Sequence, residues 1–497
     1  MRGPRPDYIA RREYVARRGD REPAVTTWND LFRSRWLGSQ APAVVTAEFT
    51  WSGDELAHRA GGVAAWLEDL GVAPGAHVPA IVDESAAAIA LVVGATLSGR
   101  IPAPLGTKLP ASDLAGALGA LGAKVVVADR RSEGLAREAA AAVGAAVVVL
   151  EELSMAPPPA PPVNVNADSV AFIVHTSGTT GLPKPIPATH RHMVERIRIY
   201  TGVMDLGPGD RYCSASPFAH TAGVNMVYTA LALGAAVIPQ DWFSIDKWRE
   251  AGSMGVTCAL LVPTMIDILL SAGALADAQP RLLQYGAAPI HPDTLTAALR
   301  ALPLTRFVQV FGQTEVSPVT SLNHDDHLAA LAGRQELLTT VGRAPTGVEL
   351  RVEHPDGDGI GEICVRAPHN FVADPDGWRR TGDLGRLDGE GYLSLHGRVN
   401  DRIIRGGENI YPVEVEHALM SHPGVREAAV VGVADRRWGE IVKAVIVAMT
   451  DGGRLDDDEL KQHVRDRLAH FKVPAIIEYR SELPRNANGK VLRRMLT

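Results

Sequence analysis

TSGTTGLPK, residues Thr176 to Lys184, directly follows an apolar run, Val170 to His175, that predicts a β-strand. The loop combines small hydroxyl side chains, backbone N–H groups that glycine leaves accessible, and one lysine, and together these groups can wrap a polyphosphate. It is not a Walker A loop, because Lys184 is followed by Pro185 and the GxxxxGK[ST] spacing is absent. An ordinary surface turn has the same composition, so the loop gains its meaning from the rest of the chain.

The composition indicates a globular protein of more than one domain. The chain has 497 residues, of which 46% are apolar and 22% are charged, and this length exceeds what one hydrophobic core holds. The formal net charge is -7 at pH 7, so there is no general basic field to attract a nucleic acid or an anionic membrane. We therefore expect no nucleic-acid partner.

The cysteines and the apolar segments favour a cytoplasmic protein without a membrane span. Cys213, Cys258 and Cys364 lie far apart without CxxC spacing, which argues against a disulfide framework and a structural zinc site. The arginine-rich N-terminus is not followed by an apolar region, so we expect a mature start. The longest uncharged stretch, Thr221 to Gln240, contains polar and helix-breaking residues and predicts a buried helix followed by a short strand at Ala235 to Ile238.

Changes in pattern along the chain predict its organisation. Trp51 to Glu151 alternates helical stretches with short β-branched runs, the signature of βαβ units around a parallel sheet. The proline-rich Ala156 to Val163 predicts a connector between two lobes, and tight turns beyond Gly361 predict antiparallel sheet. We predict an α/β fold with a large N-terminal domain, residues 1–398, and a small α+β C-terminal domain, residues 399–497. Within the latter, helices are predicted near Pro412 to Ser421 and Asp457 to Ala469, and strands near Glu427 to Val433 and Lys443 to Met449.

Four further motifs carry groups that could act on a nucleotide. In Phe311-Gly312-Gln313-Thr314-Glu315 the aromatic ring can stack on a base and the carboxylate can hold Mg2+ beside phosphates. Thr381-Gly382-Asp383 offers a carboxylate for two ribose hydroxyls, Gly397-Arg398 follows, and Asn486 to Lys490 places a lysine in a Gly/Asn turn near the C-terminus. Taken singly, each has an ordinary explanation as a turn or a solvated side chain.

The order and separation of these motifs, from about Trp51 to Arg493, resemble the adenylate-forming superfamily of acyl-CoA synthetases, nonribosomal peptide adenylation domains and firefly luciferase. The resemblance implies two steps. A carboxylate oxygen attacks the α-phosphorus of ATP and pyrophosphate leaves; a thiol then attacks the acyl carbonyl and AMP leaves. It also implies a small β-barrel-like part within the large domain and a mobile C-terminal domain that carries the catalytic lysine.

Positions that match the family's motifs imply roles for individual residues. Thr314 would contact the α-phosphate, Glu315 the magnesium, and Lys490 the incoming carboxylate and the α-phosphate, where its charge would stabilise the transition state. Glu315, Thr314, Lys490 and His220 are the implied catalytic set. The implied ATP ligands are the phosphate-loop residues Thr176, Ser177, Gly178, Thr179, Thr180 and Lys184, the adenine neighbours Gly286, Ala287, Ala288, Gln309, Phe311 and Gly312, and the ribose neighbours Asp383 and Arg398.

The C-terminal domain would rotate between the half-reactions, with Asn400 at the hinge position. The segment from Gly397 to Asn409 is similar to aryl-CoA ligases in particular, which implies coenzyme A as the acceptor and a CoA site at Gly406, Gly407, Trp438 and Phe471. Packing in the core of a small domain is the alternative role of the two aromatic residues. A carrier-protein phosphopantetheine would use the same tunnel and is the nearest rival. Three positions depart from the family: Pro185 where a glycine is usual, Asn400 where Asp or Lys is usual, and Ile404 where lysine is frequent.

The segment around His220 bears on the acid that is activated. No acidic residue lies between Arg211 and Asp241, which disfavours an amino acid, and His220 matches the histidine that aryl- and acyl-CoA ligases place against the acyl group; a packed structural histidine is the alternative. We expect a hydrophobic carboxylic acid, aromatic or polycyclic, in a roomy pocket, the alternative being that other parts of the chain fill the space beside the small residues. The candidate lining is small or apolar: Ala222, Gly223, Val224, Asn225, Gly286, Gly312, Val316 and Pro318.

Other classes of protein fit the sequence less well. An NAD(P)-dependent oxidoreductase would need a GxGxxG turn before a helix, and the strand near Ala123 to Ala128 has none. A non-catalytic nucleotide-binding protein would be expected to lose Glu315 or Lys490, and both are present. A luciferase-like oxygenase would share every motif, so an assay for light is needed to separate it.

Overall fold

The computed structural model describes residues 25–152, 163, 165–177, 183–449, 453–485 and 491–497, with the backbone alone at 176, 177 and 183. Two sequence predictions therefore fall largely or wholly outside the described residues. The connector Ala156 to Val163 is described at Val163 alone, and the turn Asn486 to Lys490 is not described at all. The centre of the phosphate loop, Gly178 to Leu182, is also outside.

The largest element is an eight-stranded sheet. Its two edge strands run antiparallel to their neighbours and the strands between them are parallel, as expected for apolar runs such as Cys258–Leu261 that are buried on both faces. In spatial order its strands are Thr320–Leu322, Arg306–Phe311, Leu282–Gly286, Cys258–Leu261, Arg211–Ser214, Ala236–Pro239, Pro42–Val45 and Thr50–Ser52.

A second, four-stranded parallel sheet confirms the βαβ prediction for Trp51 to Glu151. The helix Ala86–Leu97 is apolar around its circumference, and it is buried in one core with residues of both sheets, as such a helix must be. The strands of this sheet, in spatial order, are Ile101–Leu105, His77–Ile81, Val125–Ala128 and Ala146–Val149.

The antiparallel sheet predicted beyond Gly361 is confirmed as a four-stranded meander. In the described part of the chain it is an open sheet, so the barrel-like part takes the form of a meander with two edges rather than a closed barrel. Its strands are Glu349–Glu353, Gly361–Arg366, Arg379–Leu387 and Leu393–Arg398.

The C-terminal residues form a five-stranded sheet with a hydrophobic core of its own, drawn from residues 403 to 473. The predicted helices and strands are confirmed, although the second helix ends at Arg465 and a 3-10 turn, His470–Lys472, follows. The strands are Ile403–Arg405, Glu408–Ile410, Val425–Asp435, Gly439–Ala448 and Ile476–Tyr479. That the domain boundary falls at residue 398 stays a prediction.

Helices cover the faces of the sheets. Among the described residues, no helix combines the length and the hydropathy that crossing a bilayer needs. The predicted buried helix within Thr221 to Gln240 is confirmed; its first turn, Thr221–Asn225, is π-helical. The α-helices are Trp28–Trp36, Gly53–Asp69, Ala86–Leu97, Ala111–Ala120, Glu133–Ala141, His190–Val203, Met226–Leu233, Ile245–Ser253, Pro263–Ser271, Pro292–Ala301, His324–Leu331, Pro412–Met420 and Asp457–Arg465.

Candidate active site

Two neighbouring parallel strands end side by side at the candidate adenine site. Gly286, the last residue of its strand, lies in register with Val310, directly before Phe311. Ala287 follows Gly286 with φ 66°, a left-handed conformation that is rare for a residue with a side chain and typical of functional turns. Ala287 and Ala288 are exposed. The backbone therefore leaves the sheet at its carboxyl edge, where open α/β sheets bind ligands.

A buried carboxylate joins two motifs that are far apart in sequence. Asp383 is 8% exposed; its Oδ1 lies 2.7 Å from Nε of Arg398, and its Oδ2 accepts a hydrogen bond of 2.6 Å from Nε2 of Gln313. Gln313 also donates to the carbonyl oxygen of Thr381 over 2.7 Å. The structure thus brings the predicted ribose neighbours Asp383 and Arg398 together. It adds Gln313, to which the sequence assigned no role.

Glu315, the candidate magnesium ligand, lies two residues after Gln313 and is held by two contacts. Its Oε1 lies 3.2 Å from Nη2 of Arg379, and its carbonyl oxygen accepts a hydrogen bond of 2.8 Å from the amide of Phe371. Arg379 was not recognised in the sequence. The described residues contain no cluster of three His, Cys, Asp or Glu that could hold a metal, so a magnesium ion here would depend on Glu315, on ATP phosphates and on water, the way Mg2+ is commonly held.

The phosphate loop stands at the tip of a β-hairpin. Its flanks pair in antiparallel register, Thr176 with Lys184 and Ser177 with Pro183, and Lys184 is exposed. The strand Pro183–Thr189 pairs with one neighbour alone among the described strands. Its prolines, at 183, 185 and 187, recur every second residue, so their missing N–H groups fall on the unpaired edge. This explains how the strand accommodates Pro185 in place of glycine.

His220 and the candidate acyl-pocket residues gather around the π-helical turn Thr221–Asn225. The carbonyl oxygen of His220 accepts hydrogen bonds from the amides of Gly223 (2.9 Å) and Val224 (3.1 Å), and π turns recur at functional sites. Val224 and Asn225 are buried beside it, and Val316 and Pro318 are buried in the loop that follows Glu315. Thr314, which directly precedes Glu315, is half-buried.

The three candidate pocket glycines do not leave open space. A Cβ added to Gly286 would lie 2.2 Å from the carbonyl oxygen of Val310, one added to Gly223 would lie 2.3 Å from that of Pro217, and one added to Gly312 would lie 2.7 Å from Cβ of Ser317. The expectation that these small residues make the pocket roomy is therefore wrong for the glycines. The protein's own chain fills the space beside them.

Gly286→Ala is expected to destabilise the protein by about 1 to 3 kcal/mol, because two adjacent strands would be forced apart. The measurement is the midpoint of thermal unfolding. Gly202→Ala is the matched control: a Cβ at this exposed position in the helix His190–Val203 meets nothing within 4 Å, and we expect no loss and up to about 1 kcal/mol of gain. Equal midpoints for the two variants would contradict this interpretation of Gly286.

The four candidate CoA residues lie close in sequence or in space on the C-terminal domain. The amide of Gly406 donates to the carbonyl oxygen of Trp438 over 2.7 Å, and Trp438 is 42% exposed. Arg405 donates from Nη1 to the carbonyl oxygen of Phe471 over 2.6 Å, and its guanidinium carbon is 5.6 Å from the centroid of the Trp438 ring. Gly407 continues the turn. A cation next to an exposed ring suits a phosphate-bearing nucleotide.

The segment that joins the domains combines an exposed turn with a buried contact. Asn400 is exposed in the 3-10 turn Val399–Asp401. Tyr411, which is 3% exposed, donates from its hydroxyl to Oδ2 of Asp356 in the antiparallel sheet over 2.5 Å. Val399 packs on the same small apolar cluster as Tyr411. Rotation about Asn400 would break this contact.

Lys490 itself lies outside the described residues, and its flanks are fixed. Arg485 and Val491, the described residues on either side of it, form an antiparallel bridge. Arg493 donates from Nη2 to Oε2 of Glu416 over 3.0 Å and lies 3.5 Å from Asp401, which anchors the end of the chain to the C-terminal sheet and helices.

Solved structures with this fold define the class. The chain superposes with a TM-score of 0.84 on the amide bond synthetase McbA from Marinactinospora thermotolerans, at 28% identity over 94% of this chain and 99% of that one. The o-succinylbenzoate CoA synthetase of Bacillus subtilis, solved with its acyl-adenylate intermediate, gives a TM-score of 0.82 at 26% identity over 95% and 98%. Together with the site described above, they define an adenylate-forming enzyme.

The sequence comparisons agree. The chain belongs to the AMP-binding enzyme family: the family matches residues 37–372, and its C-terminal domain matches residues 414–490. A feruloyl-CoA synthase from Amycolatopsis sp is 33% identical over 88% of this chain and 92% of the relative. A fatty acid–[acyl-carrier-protein] ligase, ScoC from Streptomyces coeruleorubidus, is 30% identical over 92% of each. The resemblance seen in the sequence is thereby confirmed, and with it the class of enzyme, an acid–thiol ligase that forms AMP.

Proposed function

We propose that this protein is an ATP-dependent carboxylic acid:CoA ligase that forms the acyl-AMP of a hydrophobic, aromatic or polycyclic acid and then its CoA thioester. The observation that carries the proposal is the hydrogen bond from Gln313, two residues before Glu315, to Asp383, which also pairs with Arg398. The proposed ribose ligand is thereby tied to the segment that carries the proposed magnesium ligand, and a nucleoside triphosphate needs both.

Electrostatics drive both steps of the proposed reaction. Negative charge builds on the α-phosphate as the carboxylate attacks and on the departing pyrophosphate. Lys490 and the phosphate loop would supply positive potential there, and preorganised charge of this kind lowers the barrier without moving a proton. Bound magnesium would neutralise charge on the phosphates. Asp383 and Phe311 would fix the nucleoside, so that the α-phosphorus stays in line with the acid.

The character of the acyl site supports a hydrophobic acid. Val224, Val316 and Pro318 are buried and apolar, and no acidic residue between Arg211 and Asp241 could pair with a substrate ammonium. The feruloyl-CoA synthase, by its name, makes the thioester of an aromatic acid. His220, at the start of the π turn, would lie against the acyl group.

Coenzyme A is the proposed acceptor because the exposed Trp438 lies beside Arg405 and the Gly406 turn. The rival is a carrier-protein phosphopantetheine, favoured by the likeness to ScoC, which by name loads an acyl carrier protein. An amine acceptor is a further possibility that McbA, by name an amide bond synthetase, brings in. The described cysteines are free and buried, in keeping with a reducing cytoplasm as the proposed location.

Glu315→Gln is expected to raise the Mg2+ concentration for half-maximal activity at least about 10-fold, because an amide oxygen replaces an anionic ligand. The measurement is a magnesium titration of ATP–pyrophosphate exchange at saturating acid. Glu336→Gln, at an exposed acid paired with Arg334, should leave the titration unchanged. An unshifted midpoint in Glu315→Gln would remove Glu315 from the magnesium site.

The test of the function is exchange of labelled pyrophosphate into ATP across a panel of carboxylic acids, followed by mass spectrometry after addition of CoA, a phosphopantetheinylated carrier protein or an amine. We expect exchange that depends on the acid, greatest with aromatic or polycyclic acids, and an acyl-CoA as product. Exchange with acetate above all others would refute the substrate class. Acyl transfer to carrier protein or amine but not to CoA would refute coenzyme A as the acceptor.

A further inference from the structure

A buried arginine lies beneath the candidate acyl pocket without a counterion. Arg196, on the helix His190–Val203, is 1% exposed. Its Nη2 makes the contacts that the structure shows: 3.4 Å to the hydroxyl of Tyr200 and 4.0 Å to the sulfur of Met226. Its Nε and Nη1 have no hydrogen-bond partner. Among the described residues, no Asp or Glu lies within ion-pair distance of it.

The energetics of such a group call for a partner. A guanidinium carries five N–H donors, and three of them, on Nε and Nη1, are buried here without an acceptor. An unpaired buried charge costs several kcal/mol, and burial lowers the pKa of Arg196. Buried, unsatisfied polar groups are rare in native proteins, and each calls for an explanation such as strain, a functional role, an ordered water or a bound ion.

Two chains of contacts lead from Arg196 to residues that adjoin the candidate pocket lining in sequence. Met226 follows directly on Asn225, at the end of the π turn. On the other side, Tyr200, whose ring centroid is 5.0 Å from the guanidinium carbon, places its hydroxyl 3.5 Å from Oγ of Ser317, between Val316 and Pro318. Arg196 is therefore linked, through Met226 and through Tyr200, to the residues next to Asn225, Val316 and Pro318.

Other buried polar groups nearby also lack a partner; the Nδ1 of His369 and the Oδ1 of Asn370 can accept a hydrogen bond, and two further groups can donate one. The Nδ2 of Asn225 and the hydroxyl of Tyr212 are buried without a partner. His369 donates from Nε2 to the carbonyl oxygen of Pro318 over 3.0 Å; burial, and then the charge of Arg196, lower the pKa of His369 to about 4, so it stays neutral near pH 7. A positive charge with two free hydrogen-bond donors near it suits an anion with several acceptor oxygens.

We propose that Arg196 binds a second anionic group, a carboxylate or sulfonate at the end of the acid remote from the reacting carboxyl, with Asn225 and Tyr212 as additional donors. This inference rests on the proposed function and narrows its substrate class. The acid has a hydrophobic body that contacts Val224 and Val316, and it is dianionic. The guanidinium provides binding energy far from the reaction and fixes the acid's orientation, so Arg196 determines specificity and takes no part in the chemistry.

The test uses ω-arylalkanoic acids with two to five methylenes, each with hydrogen, carboxylate, sulfonate or neutral carboxamide at the para position. For each acid, kcat/KM of pyrophosphate exchange is measured with the wild-type protein, Arg196→Met and Arg196→Lys. At one chain length or more, we expect wild type to prefer the carboxylate or sulfonate over hydrogen at least about 10-fold, since hydrogen bonds to charged groups contribute about 1.5 to 3 kcal/mol. Arg196→Met should abolish this preference, and Arg196→Lys should keep part of it.

The matched control is Arg198→Met. Arg198 lies two residues further on the same helix, is exposed and pairs with Glu195, so its loss should leave every preference unchanged. The thermal midpoint adds a second measurement: removal of an unpaired buried charge should leave Arg196→Met at least as stable as wild type. The acids with a para carboxylate or sulfonate should raise the midpoint of wild type and of Arg198→Met but not that of Arg196→Met.

Three outcomes would overturn the inference while leaving the proposed function intact. The first is exchange with the unsubstituted acids without a preference for a second anion at any chain length. The second is equal activity with carboxamide and carboxylate, and the third is a fall in kcat/KM by the same factor for all acids in Arg196→Met. Absence of exchange with every acid would instead refute the function itself. Should Arg196→Met fail to fold, two measurements decide the question: the preferences of Arg196→Lys, and the rise in the thermal midpoint of wild type with the acids that carry a para carboxylate or sulfonate.

Discussion

Lys490→Ala is expected to lower kcat for acid-dependent pyrophosphate exchange by about 100-fold to 1000-fold, the loss that follows removal of one preorganised charge-stabilising donor. The affinity for ATP should change little, because the lysine acts on charge that appears in the transition state rather than on the bound nucleotide. Both quantities are measured on the same preparation, kcat by exchange and the affinity by calorimetric titration with ATP.

The matched control for Lys490 is Arg494→Ala. Arg494 is an exposed cation four residues further along the same anchored segment, so its removal changes the local charge equally without touching the proposed reaction site. We expect full exchange activity from it. Unimpaired exchange in Lys490→Ala, or an equal loss in both variants, would show that the tail contributes general charge and not a specific catalytic group.

Asp383→Asn is expected to weaken ATP binding about 10-fold to 100-fold, because the carboxylate is the proposed acceptor for the ribose hydroxyls and charged hydrogen bonds contribute about 1.5 to 3 kcal/mol. The substitution keeps the shape of the side chain beside Arg398 and Gln313. The measurement compares KM for ATP and for 2′,3′-dideoxy-ATP in wild type and variant. Wild type should discriminate strongly between the two nucleotides, and the variant should hardly discriminate.

This comparison separates binding from folding. A general loss of stability in Asp383→Asn would weaken both nucleotides by the same factor, whereas loss of a ribose contact affects ATP alone. Asp358→Asn, at an exposed turn of the same antiparallel sheet, should behave as wild type. If Asp383→Asn still distinguished ATP from the dideoxy nucleotide, Asp383 would have to be reassigned to holding Arg398 and Gln313 in place.

The sequence predicted those features that local pattern and motif determine. β-branched runs such as Val125–Ala128 located the parallel strands, and the tight turns beyond Gly361 located the meander. The chain order of the nucleotide motifs identified the family. Asp383 and Arg398 were expected together, and the antiparallel register of their strands places them opposite one another.

The missing parts depend on contacts that sequence spacing does not specify. Gln313 lies 70 residues from Asp383, and Arg379 lies 64 from Glu315; nothing local indicates which of many polar side chains completes such a pair. The glycines show the same limit. A glycine at position 286 is compatible with a ligand in the space beside it or with the chain itself in that space. Only the structure shows that the backbone of Val310, on the neighbouring strand, occupies it. Arg196 was missed because a helix pattern does not reveal whether a buried cation has a partner.

The measurement that tests the account most directly follows an oxygen atom. A carboxylic acid that supports exchange is labelled with 18O in its carboxyl group and converted to product with ATP and CoA, and the released AMP is analysed by mass spectrometry. Attack of the carboxylate on the α-phosphorus, followed by attack of the thiol on the acyl carbonyl, leaves one labelled oxygen in the AMP for each thioester formed. Unlabelled AMP, or label found in inorganic phosphate beside ADP, would contradict an acyl-adenylate and with it the assigned function.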